Sequence, residues 1–230
     1  MKNCSADGCI VRNDKDPVYD RQYHSQRHAH LIYDDEYFWA RAKASADLYF
    51  SSQEQAKRIF EYGCGIGQGI ASLPHAAGWD VSAEAREICR RRNLQVYEDL
   101  DDVPRKAWDI VLCRHVLEHL ENPLEHLRLM RELIVDHGEL FLVLPRERHE
   151  ESTFIPDLNQ HLFCWNFRAI NNLLARAGFV PYMNCYEYVL GYRILLPVKR
   201  MLGLGAYFYA TRLVGHLKRN GELIVRARLK

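Results

Sequence analysis

The stretch Arg58-Ile59-Phe60-Glu61-Tyr62-Gly63-Cys64-Gly65-Ile66-Gly67-Gln68-Gly69 decides the fold class of this chain. A short apolar run contains a carboxylate near its end, and glycines then alternate with other residues. This pattern predicts a buried strand that leads into a tight turn and then a helix. Glycine accepts positive φ and lets a ligand approach the backbone without meeting a Cβ. We therefore expect a nucleotide-type site here, with unpaired N–H groups at the start of the following helix.

The spacing of the glycines discriminates between cofactors. The dinucleotide pattern G-x-G-x-x-G finds Gln68 at its last position when it starts at Gly63, and Ile70 when it starts at Gly65. A phosphate-binding loop would continue with Gly-Lys-Ser/Thr, which is absent from this stretch. The pattern present is E-x-G-x-G-x-G, beginning at Glu61. It resembles the first motif of class I S-adenosylmethionine (SAM)-dependent methyltransferases; the alternative is a glycine-rich turn without a ligand.

Length and composition are typical of a single domain. The chain has 230 residues, 48% of them hydrophobic, which is enough for one sizeable core. We expect an N-terminal arm over residues 1–33 and one domain over residues 34–230. The sequence has no signal-peptide pattern, no run of about 18 uncharged apolar residues, and seven cysteines scattered singly. These features favour a cytoplasmic protein with reduced thiols.

One pattern in the arm approximates a zinc finger. Cys4 and Cys9 are followed by His24 and His28 at nearly the spacing of a two-cysteine, two-histidine site. The segment between the pairs lacks the apolar residues that such a finger needs for its small core. We therefore predict an irregular arm and no metal.

An acidic residue belongs to the predicted second strand, Gly78 to Ser82. Asp80 is placed where a carboxylate accepts hydrogen bonds from both ribose hydroxyls in sites of this kind. Glu84 is the alternative, but Ser82 predicts the start of a helix that would contain it. A third strand, Leu94 to Tyr97, precedes an acidic run.

The acidic run after the third strand contains a second candidate cofactor contact. Asp99 is placed to accept from an adenine amino group, with Leu100 against the ring. The alternative interpretation is an acidic turn without a ligand.

A second motif follows the fourth predicted strand, Trp108 to Cys113. The run from His115 to His119 matches H-x-x-E-H, an inverted zinc-peptidase motif that requires a long helix. Asn122-Pro123 instead predicts a new helix three residues later. The segment D-x-V-x-C-x-H-V-L-E-H-L-x-N-P resembles the corresponding segment of the same methyltransferase class.

The resemblance implies the fold. It predicts an α/β, Rossmann-like, doubly wound sheet of about seven strands with helices on both faces, mostly parallel, with an antiparallel last strand between the fifth and sixth. The remaining predicted helices are 34–56, 70–77, 123–135 and 167–177, and the remaining predicted strands are 139–145, 179–189 and 222–229. The loop at 146–160 is placed to build the acceptor wall.

The resemblance also implies a reaction, the transfer of a methyl group from SAM to a small-molecule, glycan or lipid-linked acceptor, with oxygen favoured. The implied cofactor contacts are Glu61, Gly63, Cys64, Gly65, Gly67, Asp80, Val81, Asp99, Leu100 and Cys113. Two alternatives stay open, a SAM-fold binding protein without catalysis and a nicotinamide-dependent oxidoreductase.

An oxygen acceptor needs a base, and three histidines are candidates. His115 is best placed, just past the fourth strand, and His161 and His149 are rivals. The run Cys113-Arg114-His115-Val116 replaces the Asn/Asp-Pro-Pro-aromatic motif of base amino-group methyltransferases. Together with a net charge of +1, this makes nucleic acid an unlikely acceptor.

Positive charge is concentrated near the C-terminus. Residues 192–230 carry a net charge of +8, and the rest of the chain carries −7. A basic helical insertion is predicted at about 192–219. Its apolar and aromatic centre between basic residues suits an anionic membrane surface. We favour the alternative, in which the basic residues pair with the acidic body.

Overall fold

The computed structural model describes residues 29–146 and 161–230. In these ranges the helices are α1 (Ala29–Tyr33), α2 (Asp35–Tyr49), α3 (Ser52–Gln55), α4 (Ala83–Arg91), α5 (Pro123–Leu133), α6 (Phe167–Ala177) and α7 (Leu196–Lys218). The strands are β1 (Ile59–Tyr62), β2 (Ala76–Trp79), β3 (Trp108–Arg114), β4 (Ile134–Pro145), β5 (Phe179–Tyr188) and β6 (Gly221–Leu229). Short 3-10 turns lie at Leu100–Asp102 and Leu117–His119.

The strands form one sheet in the order β2-β1-β3-β4-β6-β5. Strands β1 to β4 are parallel to one another, and β6 is antiparallel to both β4 and β5. This confirms the Rossmann-like α/β prediction, including the position of the last strand. The described sheet has six strands because the predicted strand Leu94–Tyr97 forms only a bridge between Val96 and Gly78. The two backbone hydrogen bonds that this segment makes to β2 both involve Gly78, one residue before β2 ends, so the ladder stops there.

Helices cover both faces of the sheet. Side chains alternate in direction along each strand, so each face carries apolar side chains against which a helix can pack. One face packs against Leu127 and Met130 of α5 and Ile170 and Leu174 of α6. The other face packs against α2 through Ala46, Tyr49 and Phe50. The centre of the sheet is therefore buried between two layers of helices, which leaves the carboxyl ends of the strands for the site.

The segment after the glycine loop differs from the prediction. Residues 63–75 form turns, the predicted helix from Ile70 to Ala77 is absent, and β2 begins at Ala76, two residues early. Pro74 has no N–H group to continue a helix, and the segment between the loop and the strand is only a few residues long. The helix N-terminus that we predicted to face the ligand is therefore missing from the described loop.

Other helix and strand boundaries differ from the predicted ones for local reasons. The predicted helix 34–56 is divided, because Ser51 and Glu54 form a capping box that starts α3 anew. Helix α5 ends at Leu133, and β4 begins at the next residue, so Gly138 lies inside a strand instead of a turn. Gly178 ends α6 in the left-handed region (φ 87°), so this helix has its predicted bounds, 167–177.

The predicted basic insertion is the long helix α7, whose course is broken at Gly203 (φ 83°, ψ −179°). Its inner side buries Tyr207 against Ala44 of α2 and Tyr192. Most of the predicted arm lies outside the described residues, and its end forms α1. Within residues 29–146 and 161–230, no helix is sufficiently long and apolar to span a bilayer.

Candidate functional site

The glycine loop is tied to the end of the second strand and leaves its backbone open. Gly63, Gly65 and Gly67 have φ values of 74°, 52° and 85°. The amides of Gly63 and Cys64 donate to the carbonyl of Trp79 at 2.8 and 3.0 Å. A Cβ added at Gly65 would meet no atom within 4 Å, so a ligand can reach the backbone there.

Asp80 joins β2 to this loop. Its Oδ2 accepts from the amide of Gly65 at 2.7 Å, and its Oδ1 accepts from the amide of Ser82 at 2.9 Å. Each carboxylate oxygen has further lone pairs for a ribose hydroxyl. Val81 is 45% exposed beside it. Glu84, the alternative acid, lies in the first turn of α4, which Ser82 caps as predicted.

A residue that the sequence analysis missed connects the two predicted acidic contacts. Arg86 donates from Nη1 to the carbonyl of Asp80 at 2.6 Å and from Nη2 to Glu98 at 3.0 Å. Next to Glu98, Asp99 caps the 3-10 turn by accepting from the amide of Asp101 at 3.1 Å. Arg86 is only 9% exposed. A buried arginine with carbonyl and carboxylate partners therefore fixes the spacing between Asp80 and the Asp99 segment.

Three predicted cofactor contacts are buried. Cys64, Cys113 and Glu61 are all at most 3% exposed, and Cys113 packs into the main core. The carboxylate of Glu61 lies directly against Gly69, where no side chain could fit. Its Oε1 accepts from Nε of Arg114 at 3.3 Å, and no described residue bonds its Oε2. Burial raises the pKa of Glu61 to about 7, although Arg114 lowers it.

The described residues fit SAM on three observations. The backbone at Gly65 is open, Asp80 presents acceptor oxygens beside it, and Glu61 supports the loop from beneath with one carboxylate oxygen still lacking a partner. These features lie at the carboxyl ends of β1 and β2, where α/β sheets bind nucleotides.

A polar network lies next to this loop, at the carboxyl end of β3. His115 has φ 52° and its Nε2 is 2.9 Å from Oε1 of Glu222, the second residue of β6. Oε2 of Glu222 accepts from the hydroxyl of Tyr49 at 2.5 Å. On the other side, Nδ1 of His115 lies 3.6 Å from Oε1 of Glu118. The network joins β3, β6 and α2.

The two carboxylates determine the charge of His115. The side chain of His115 is 41% exposed, and its partial desolvation favours the neutral ring, but Glu118 and Glu222 outweigh this effect and raise the pKa of His115 to about 9. Burial would raise the pKa of Glu222, but His115 and Tyr49 lower it to about 2. In this arrangement the ring carries a proton at neutral pH and donates from Nε2 to Glu222, while Nδ1 faces Glu118 at 3.6 Å. A protonated ring differs from the base that the sequence predicted for His115. The sequence does not show that two carboxylates flank this histidine.

The second predicted histidine lies nearby. The rings of His161 and His119 are 4.7 Å apart, edge to face, and the amide of Leu162 donates to the carbonyl of Glu118 at 2.8 Å. The H-x-x-E-H segment forms one 3-10 turn, and α5 begins at Pro123, so the long helix of a zinc peptidase is absent here. His149 and the arm cysteines and histidines lie outside the described residues.

The comparisons with known proteins agree with this geometry. A family model described as "Methyltransferase domain" matches residues 30–182. The tRNA U34 carboxymethyltransferase of Psychrobacter arcticus is 28% identical over 149 residues, which are 61% of this chain and 39% of that protein. The chain thus spans about two fifths of that relative's length.

Solved structures share the fold at low identity. A Haloferax volcanii methyltransferase in complex with the Trm112 activator superposes with a TM-score of 0.58 at 16% identity, over 91% of this chain and 96% of that one. The 1,6-didemethyltoxoflavin-N1-methyltransferase of Burkholderia thailandensis, with bound 1,6-didemethyltoxoflavin and S-adenosylhomocysteine, superposes with a TM-score of 0.57 at 14% identity, over 98% of this chain and 93% of that one. Because the family model covers most of the described domain, and the fold agrees, the chain belongs to the class I SAM-dependent methyltransferases.

Proposed function

We propose that this chain transfers a methyl group from SAM to an oxygen of a small-molecule, glycan or lipid-linked acceptor in the cytoplasm. The observation that carries the proposal is the open backbone at Gly65, held to the carboxylate of Asp80. SAM supplies a methyl group on a sulfonium that is already a good leaving group. The protein then has to orient the two reactants in line and exclude water.

The residues divide into a cofactor half and an acceptor half. We propose that Asp80 binds the ribose hydroxyls, and that Asp99 and Leu100 contact the adenine. Glu61 would support the glycine loop from beneath instead of touching the ribose. His115 and His161 would contact the acceptor, since both lie beside the end of β3.

Nucleic acid is the less favoured acceptor. The run Cys113 to Val116 lacks the motif of base amino-group methyltransferases, and the net charge is only +1. One relative is named for tRNA, but the chain spans 39% of it. RNA therefore belongs in an acceptor screen as a separate arm, together with small-molecule, glycan and lipid fractions.

The first prediction concerns the cofactor. Isothermal titration of the full chain should show binding of SAM and S-adenosylhomocysteine, and little or none of NAD, because the third dinucleotide glycine is missing. Incubation with labelled SAM and extract fractions should then yield S-adenosylhomocysteine. Tighter binding of NAD would contradict the proposal, and SAM binding without turnover in any fraction would favour a binding protein.

The second prediction tests the two acids. Asp80→Ala should weaken SAM binding by about 1–3 kcal/mol, because buried ribose hydroxyls lose their acceptor. Glu84→Ala is the matched control and should bind SAM normally. Gly65→Val should abolish binding, since its side chain occupies the open approach. If Glu84→Ala weakens binding and Asp80→Ala does not, the ribose assignment is wrong; thermal melting confirms that each variant is folded.

The third prediction concerns the acceptor half. His115→Asn should lower turnover about tenfold or more, because a hydrogen bond to a charged donor is lost, while SAM affinity stays unchanged. Asparagine tolerates the positive φ of this position. His75→Asn, on the exposed surface, is the control and should keep full activity. Equal turnover for the two variants would remove His115 from the acceptor site.

The basic helix α7 poses a separate question. Lys199 and Arg200 both pair with Glu36 of α2, at 3.6 and 2.6 Å, and Arg212 pairs with Glu187 at 3.1 Å. These contacts support internal pairing of the positive segment with the body. The observation that favours an anionic membrane surface is the exposure of large apolar side chains on the outer side of the helix, namely Met201, Leu202, Tyr209 and Leu217.

The fourth prediction decides between these interpretations of α7. If pairing is internal, the chain should co-sediment no better with anionic than with neutral vesicles, in low or physiological salt. Binding to anionic vesicles that salt weakens, and that Lys199→Glu with Arg200→Glu abolishes, would instead establish peripheral membrane contact.

A further inference from the structure

We propose that Glu118, His119 and His161 form a binding site for one divalent transition-metal ion of the zinc type. Each residue offers one ligand atom, and these atoms all lie within 4.8 Å of one another. Glu118 and His119 belong to the 3-10 turn after β3, and His161 comes from a distant part of the chain. The cluster lies next to His115, on the acceptor side of the site.

The backbone holds the two parts of the cluster together. The amides of Leu162 and Phe163 both donate to the carbonyl of Glu118, at 2.8 and 3.2 Å. His161 is therefore fixed beside the turn that carries the other two side chains. Oε1 of Glu118 is 3.9 Å from Nε2 of His119. Two ligands of one zinc ion at about 2.1 Å each lie roughly 3.4–4.2 Å apart, so small side-chain rotations bring the set to binding distance.

Glu118 is the observation that points to a ligand. Its side chain is fully buried, and neither carboxylate oxygen has a hydrogen-bond partner among the described residues. A buried carboxylate without hydrogen bonds is costly unless it is paired or coordinates a metal. The imidazole of His115, 3.6 Å away, compensates only in part, because it is also shared with Glu222. A cation between Glu118 and the two histidines would satisfy the second oxygen.

The donor set selects the class of ion. Two imidazoles and one carboxylate match the three protein ligands of catalytic zinc sites, which keep a fourth position open. Nitrogen donors disfavour Mg²⁺ and Ca²⁺, which prefer oxygen. His115 would be an outer partner that orients the ligating carboxylate.

The position of the cluster suggests what the ion would do, and this part rests on the proposed function. An ion beside the acceptor would bind the acceptor hydroxyl and lower its pKa, so that the hydroxyl proton could pass to solvent without a free base. The oxygen would then take the methyl group as the C–S bond of the sulfonium breaks, which releases S-adenosylhomocysteine. His161 would then be a metal ligand, in place of the base predicted from the sequence.

The experiment uses the full chain with Cys4→Ser and Cys9→Ser, so that the other candidate zinc pattern is removed. After chelator treatment, Zn²⁺ titrated by calorimetry should bind once per chain, and Mg²⁺ should not bind. Co²⁺ should give visible d–d absorption without a thiolate charge-transfer band, because the ligands are nitrogen and oxygen. Glu118→Gln and His161→Asn should each weaken Zn²⁺ binding about tenfold or more and remove the Co²⁺ bands.

His137→Asn, on the exposed surface, is the matched control and should leave Zn²⁺ binding unchanged. SAM titration and thermal melting show whether Glu118→Gln is folded, and His161→Asn serves as the second variant outside the core. Absence of Zn²⁺ binding, or binding that neither substitution weakens, overturns the site. Because these readouts need no acceptor, a chain that loads zinc but shows no methyl transfer contradicts the proposed function and leaves the metal site standing.

Discussion

The buried ion pair between Glu61 and Arg114 is the interaction on which both halves of the site depend. Strands β1 and β3 are neighbours, so Glu61 on one and Arg114 on the other meet beneath the glycine loop. Both side chains are almost fully buried. Removing Glu61 from such a pair leaves the charge of Arg114 uncompensated and costs roughly 3–5 kcal/mol. Arg114 immediately precedes His115, so the same pair supports the glycine loop above it and positions the network of His115 beside it.

The antiparallel strand β6 contributes Glu222 to the site from its beginning, whereas the parallel strands contribute residues from their carboxyl ends. Parallel strands present their carboxyl ends at one edge of the sheet, and nucleotide sites are sought there. Strand β6 runs the opposite way between β4 and β5, so its first residues lie at that same edge. Glu222 therefore faces His115 although it begins its strand. A search limited to strand ends overlooks it.

Sequence predicted the features that local spacing determines. The glycine loop, the place of Asp80, the cap at Ser82 and the end of α6 at Gly178 each follow from a few consecutive residues. Sequence did not predict the contacts that tertiary structure determines. Glu222 meets its partners from 107 and 173 positions away along the chain.

The wrong boundaries have the same origin. The predicted helix after the glycine loop followed from the pattern of a strand, a glycine turn and a helix, but the loop has to reach β2 within a few residues, and Pro74 has no amide hydrogen to donate. Glu118 and His119 were visible in the sequence as parts of an H-x-x-E-H motif. Only the fold shows that His161, and not His115, approaches His119.

The proposed division of the site separates acceptor choice from cofactor binding along the chain. In that proposal the cofactor half uses residues 61–100, whereas the acceptor half draws on β3, β6 and the ends of the segment between Arg146 and His161. Both ends of that segment are fastened at the acceptor edge. The amide of Arg146 donates to the carbonyl of Gly221 at 3.3 Å, and its guanidinium donates to the hydroxyl of Tyr188 at 3.0 Å. At the other end, residues 162 and 163 bond to Glu118. We therefore expect substitutions between these anchors to alter the acceptor, while the loop, Asp80 and the Glu61 pair keep the proposed cofactor half intact.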